Sequence, residues 1–219
     1  TGAISNTAVG ASVAVMVNDS DVKASLSGDA KKEKTIEADG ISVKADNAYN
    51  GSAKDSDSDS TAKTVAVGFA AGAAKFAGSG SVTVNVISQK ADASIGKGNY
   101  QAGNQGVDVD AKNTARLFGL AGGLGINLGG TGIGAAADVQ TYKGHTYASI
   151  EDGAKLSKAS SVRVNAESEE DLTSVAATIA TGDTFAGAGA AGLHVISTDT
   201  KADIGNQEEK DVTDATKAD

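Results

Sequence analysis

The sequence predicts an all-β fold, built as a repeating solenoid of parallel strands (a parallel β-helix). Three observations lead to this prediction: a short motif recurs four times, an alternating apolar run precedes each copy, and the chain contains no proline. Alternation with a period of two is typical of half-buried strands. Without proline, every backbone amide is free to join a strand ladder. No apolar pattern at helical spacing extends over a useful length.

The recurring motif is a small residue, a hydroxyl or acidic residue and then a large aliphatic residue. Its four copies begin at Ala24, Ala93, Ala148 and Ala202, which are 69, 55 and 54 positions apart. An alternating run begins eleven residues before each copy, at 13–17, 82–86, 137–141 and 191–195. Such self-similarity at a fixed period indicates stacked repeats, each of which buries its face against its neighbours.

A second alternating run follows the first three motifs, at 41–45, 107–111 and 162–166. The first unit is longer than the other units, and its additional residues fall in two charged stretches, 31–34 and 55–60, which we interpret as inserted loops. The underlying unit is therefore about 55 residues. Because each unit holds two runs that are roughly 25 to 29 residues apart, we expect a solenoid rung of that length. Residues 1–219 form one elongated domain on this interpretation, with units at roughly 1–64, 65–118, 119–174 and an incomplete 175–219.

A second all-β arrangement fits the same repeats. Residues 161–182 could form one long strand, and 183–205 a second strand that runs back beside it. Repeating that pairing would give an antiparallel meander of long strands, closed into a sheet or barrel. The repeat count does not separate the two arrangements.

Small side chains dominate the candidate core. The chain has 28 glycines, four phenylalanines, four tyrosines and no tryptophan. Glycine inside a strand often marks the close approach of another backbone. Gly78 and Gly80 occupy the same repeat position as Gly187 and Gly189, with glycines 132 and 134 within one residue of it. We therefore predict a tight seam where strands or sheets nearly touch.

Charge and composition exclude several classes of function. The net charge of −9 argues against nucleic acid, because binding to phosphates relies on lysine and arginine. Without cysteine there is no disulfide and no thiolate site. The uncharged stretch 117–137 contains eight glycines, which makes a membrane-spanning helix unfavourable. The chain begins inside a repeat, so we expect an excised or mature segment of an exported protein, located at the cell surface or outside the cell.

One metal site is a candidate. Asp55, Asp57 and Asp59 alternate with serine, and carboxylates are the ligands that calcium prefers. An EF-hand loop would need glycine at its sixth position and glutamate at its twelfth, where this chain has Ser60 and Ala66. We interpret the stretch as a solvated, protruding acidic loop, and keep its three aspartates as candidate ligands for weak calcium binding. No other cofactor is expected.

No set of residues predicts catalysis. His145 is expected in a turn, and His194 on a strand surface with Leu193 and Val195 on the opposite face. Two isolated histidines do not form a triad. The acidic cluster at 167–171 lacks the aromatic platforms of a glycosidase, and we interpret it as a solvated strand face or turn. The G-x-G-x-x-A pattern at 130–135 would need a strand–turn–helix context to bind a nucleotide. The sequence therefore predicts a protein that is not an enzyme.

Residues 80–87 followed by 90–96, and residues 161–168 running on to 171–176, resemble a known class of repeat. The chain is similar to the repeat regions of Gram-negative filamentous adhesins, notably the fusobacterial leukotoxin-type adhesins, and of autotransporter passengers. The resemblance implies a secreted or surface-exposed stalk or adhesive segment whose partners are proteins or glycans of host or bacterial surfaces. The alternative is a filament subunit that joins copies of itself through open strand edges.

Overall fold

The structure, a computed structural model, describes residues 4–28, 34–49 and 62–205. These residues form β-strands without any helix. The strands are β1 (Ile4–Leu26), β2 (Thr35–Tyr49), β3 (Ala62–Ile95), β4 (Gly98–Asn127), β5 (Thr131–Ile150), β6 (Ala154–Ser157), β7 (Val162–Thr181) and β8 (Phe185–Ile204). Every pairing between these strands is parallel. The predicted β-solenoid is confirmed.

The antiparallel alternative is wrong. β7 pairs with β4, and β8 pairs with β5, so the two strands do not form a hairpin ladder with each other. The short connection at 182–184 instead carries the chain across to an opposing sheet. Parallel stacking places each residue beside its equivalent in the next repeat, which preserves the face to which every side chain points.

The rung is about twice as long as the expected length of roughly 25 to 29 residues. Val107 pairs with Val162, and Ala93 pairs with Ala148, so one full rung takes about 55 residues. The two alternating runs of a unit are therefore the two sides of one rung. We name the resulting layers by their strands: the front sheet contains β1, residues 76–95 of β3, β5 and β8, and the back sheet contains β2, residues 62–72 of β3, β4 and β7.

The strand segments on either side of the insertion in the first unit both lie in the back sheet. Tyr49 at the end of β2 pairs with Ala115, and Ala62 at the start of β3 pairs with Leu117. Two separate segments of the first rung thus lie beside one continuous strand, β4. The segment that joins them, with Asp55, Asp57 and Asp59, lies outside the described residues.

Each rung has two unlike halves. In the wide half, which contains residues 88–116 of the second rung, the interior is an apolar core that includes Ile41, Val107, Val109, Ile95 and Tyr100. In the thin half, which contains residues 76–86 and 117–126, inward positions are mostly glycine, alanine and serine. A Cβ atom built on Gly125 would overlap the carbonyl oxygen of Ile133, and one on Gly68 would overlap that of Gly80. The two sheets of the thin half therefore nearly touch.

The predicted seam is confirmed at some glycines and wrong at others. Gly132 and Gly134 are buried between the sheets, against the backbone of β7. Gly78 and Gly80, however, pair with Ile133 and Ala135 and lie on the outer face, as do glycines 187 and 189. The offset of one residue decides this difference, because neighbouring strand residues point to opposite faces.

Side-chain amides tie the two sheets together between the two halves. Asn47 Nδ2 donates to the carbonyl oxygen of Lys90 at 3.0 Å, and Asn113 Nδ2 donates to that of His145 at 2.8 Å. In the other direction, Gln140 Nε2 donates to the carbonyl oxygen of Thr173 at 2.7 Å. Buried amides with partners in both sheets hold the sheets in one register.

Candidate binding surface

The outer face of the wide half carries rows of charge that run from rung to rung. On the back sheet, Lys112 Nζ lies 2.8 Å from Glu167 Oε1, and Arg116 Nη2 lies 3.2 Å from Glu169 Oε1. A hydrogen bond from Lys112 to Glu167 raises the pKa of the lysine. Each pair joins β4 to β7, so parallel stacking places opposite charges side by side. The acidic cluster thus lies on a strand face, with Glu167 and Glu169 outward.

The front sheet has a similar row around His145, which lies within β5 and not in the expected turn. Its Nδ1 is 3.5 Å from Asp199 Oδ2, and its Nε2 is 3.9 Å from Asp92 Oδ1. Its ring stacks on Tyr147 with a centroid distance of 6.0 Å. Register explains this arrangement, because Lys90, His145 and Asp199 are paired positions on three adjacent strands.

His194 is exposed, as expected, but its orientation is opposite to the prediction. It lies on the inner side of β8, beside Ser174 and Gly192, in an open cleft of about 310 Å³. Leu193 and Val195 lie on the outer face and are 55% and 48% exposed. The alternating pattern identified both faces of the strand correctly but not which face lies inside.

The thin half presents aliphatic side chains on both outer faces. On the front sheet, Val13, Val15 and Val17 are 69%, 63% and 70% exposed. On the back sheet, Val65, Val67 and Ile179 are 53%, 51% and 62% exposed. Sequence reasoning missed these surfaces because alternating valines suggest a core. The signal was the small size of most residues that alternate with them, such as Ala14 and Ala66, although the large Met16 also lies inward.

The interior of the stack, near the boundary between the wide and thin halves, contains polar groups that the sequence did not indicate. Asp138 is fully buried and is contacted by the hydroxyl groups of Thr83 and Ser174 and by Gln140 Nε2 at 3.0 Å. Tyr142 is also fully buried. Burial raises the pKa of the Tyr142 hydroxyl to about 12, and the Glu170 carboxylate adds to this effect.

We predict a loss of stability at high pH from Tyr142. Between pH values of about 10 and 12, the native tyrosine keeps its proton while the unfolded chain releases it. Its contribution is therefore fully present below about pH 10 and is lost as the pH rises through about 12. Urea denaturation at several alkaline pH values, with Tyr142→Phe as the comparison, measures this. An equally steep decline in the variant would contradict the prediction.

The described part of the chain contains no group of three or more His, Asp or Glu side chains that could hold a metal ion. The candidate calcium ligands lie outside it, so weak calcium binding remains a prediction. Nor does any helix in the described ranges have the length and apolar character needed to cross a membrane.

Comparisons with protein-family models, with curated proteins and with solved structures found no match.

Proposed function

We propose that this chain is a non-enzymatic adhesive repeat segment of a secreted or cell-surface bacterial protein. The supporting observation is the continuity of its outer faces, because the same rows of side chains pass from rung to rung on both sheets. The resemblance to filamentous adhesins agrees with this function. The partner is a protein or glycan of a host or bacterial surface.

The shape of the rung favours a binding surface over a stalk. A 20-residue strand such as β5 is about 65 Å long, while each added rung extends the stack by only about 5 Å. Since one rung takes about 55 residues, the stack gains little length for each residue in it. It gains instead a broad, flat face on each side, which suits contact with another surface.

We assign the adhesive contact to the charged wide half of the back sheet. Alternating Lys112, Arg116, Glu167 and Glu169 offer both signs of charge within one patch. Charged patches of this kind contribute to partner selection and to association rate, and their effect weakens with salt.

Binding of the labelled chain to intact host and bacterial cells tests this function. We expect saturable binding. A Lys112→Ala/Arg116→Ala variant should weaken the binding about tenfold, which corresponds to about 1.4 kcal/mol. Lys63→Ala is the matched control, because Lys63 is exposed on the same sheet outside the patch. Protease and glycosidase treatment of the cells distinguishes a protein partner from a glycan. Absence of binding to every surface would leave only a spacer function.

Self-assembly into a filament is the second candidate. β1, β2, β7 and β8 each pair on one side only within the described residues, so long ladder edges remain open. Open parallel edges can template another chain and give oligomers that grow along the stack.

A further inference from the structure

The thin half of the front sheet has an outer face against which no other strand of the described fold packs. It consists of every second residue of 9–17, 78–86, 133–141 and 187–195, and we call it the valine face. None of these twenty positions carries a charge, and only Thr141 has a polar side chain. Contiguous apolar faces of this size on a soluble protein mark interaction sites.

The valine face has a regular relief. One row, formed by Val15, Val84, Val139 and Leu193 through the register of the four strands, is a ridge of large side chains. A second row, formed in the same way by Ala11, Gly80, Ala135 and Gly189, is a trough of small residues. Residues 80 and 84 of β3 are four positions apart, so about 13 Å separates the trough from the ridge.

The two glycines of the trough have open space above them within the described residues. A Cβ atom added to Gly80 or to Gly189 would have nothing within 4 Å. Glycine within a strand costs stability relative to alanine, and no described backbone approaches these two positions from outside. Gly78 and Gly187 differ, because the rings of Phe76 and Phe185 lie against them. The open trough therefore has room for side chains from another molecule.

We propose that the valine face is an interface between two copies of this chain, related by a twofold axis parallel to the stacking direction. If the axis passes over the row that contains Val82, the ridge of each copy lies in the trough of the other. Because rungs repeat every ~4.8 Å in both copies, the fit continues along the whole stack. A twofold interface must be self-complementary in this way.

The size and charge of the face support a second copy as its occupant. The face measures about 30 Å along the strands and about 19 Å across them, so about 1,100 Å² in total is covered in the pair, near the lower end for specific interfaces. The nearest charged side chains, Asp19 and Lys143, follow the last row of the face by two residues, and the row with Lys90 and His145 follows it by four. The back sheet, with the proposed adhesive patch, remains free, so this inference is independent of the proposed function.

Analytical ultracentrifugation of the chain over a range of concentrations tests the interface. We expect a monomer–dimer equilibrium with a dissociation constant in the micromolar range, as for a small interface. Gly80→Leu fills the trough and should weaken the dimer at least tenfold. The thermal midpoint of the monomer should not fall, because the space is open in the single chain.

Two further variants keep the result interpretable. Val15→Lys places a charge on the ridge at a residue that is 63% exposed, so it should dissociate the dimer without unfolding the chain. This variant therefore tests the interface even if Gly80→Leu disturbs the fold of the chain. Ser25→Leu is the control, because Ser25 is exposed on the same sheet in the wide half. It should leave the dimer unchanged.

Several outcomes would overturn the proposal. A chain that is monomeric at all concentrations has no such interface. A dimer that survives both Gly80→Leu and Val15→Lys uses another surface, and open-ended oligomers that both variants leave intact would indicate assembly through strand edges. A monomer that binds phosphatidylcholine vesicles through a site blocked by Val15→Lys would show that the valine face contacts lipid instead.

Discussion

Replacing Gly125 by alanine is expected to lower the free energy of unfolding by about 3 kcal/mol, at the upper end of the usual cost of overpacking. The added Cβ would overlap the carbonyl oxygen of Ile133 in the opposing sheet and lie 3.3 Å from that of Ala77. Both oxygens belong to backbone held by parallel ladders, so neither can move alone. Urea denaturation followed by circular dichroism measures the loss.

Gly80→Ala is the matched control for this experiment. It makes the same chemical change in the same thin half, but its Cβ points outward into open space. Replacing a glycine by alanine without strain stabilises the folded protein by about 0.4–1 kcal/mol, because the unfolded chain loses conformational freedom. If both variants unfolded at the same urea concentration, the two sheets of the thin half could not be in backbone contact.

The second large effect is expected at Tyr100, at the corner where the rung turns from the front sheet. Its ring is fully buried in the core of the wide half. Its hydroxyl accepts a hydrogen bond from the amide of Gly28 at 2.9 Å and donates to the carbonyl oxygen of Gly96 at 2.8 Å. The residue therefore joins the corners of two successive rungs.

Tyr100→Ala should cost about 3–5 kcal/mol, the usual loss when a large buried side chain leaves a cavity. Tyr100→Phe keeps the packing but removes the hydroxyl donor from the buried Gly96 carbonyl oxygen, which costs about 1–3 kcal/mol. The Gly28 amide keeps its hydrogen bond to the carbonyl oxygen of Lys97 at 3.0 Å. Tyr147→Phe, which removes a partly buried bond to Asp203, should cost less than either. Chemical denaturation of the three variants measures these differences. A Tyr100→Phe variant as stable as the original chain would show that the hydroxyl does not hold the corners together.

Several features of the fold could be predicted because they are local or periodic. Alternation over short runs indicates strands, and the recurrence of Ala93 at Ala148 indicates parallel stacking with a period of about 55 residues. The surplus of the first unit also predicted an insertion, and the register places it between Tyr49 and Ala62. These conclusions need only the comparison of the chain with itself.

The candidate surfaces were less predictable. The valines at 13, 15 and 17 have the pattern of a core strand, yet they lie outside while Ser12, Ala14 and Met16 point inward. His145 was expected in a turn because Gly144 precedes it, whereas the strand continues through both residues. Neither error could be corrected from the residues themselves, because both depend on what lies opposite the strand.

The sequence alone determined that the chain forms stacked β-strands with a repeat of about 55 residues, because such a pattern requires only that equivalent residues meet. The tertiary structure decided that one rung contains the whole repeat and which face of each strand lies inside. A period of two defines two faces but assigns neither to the interior. The separation of the sheets makes that assignment: where glycines such as Gly125 bring the backbones together, valine fits only on the outside.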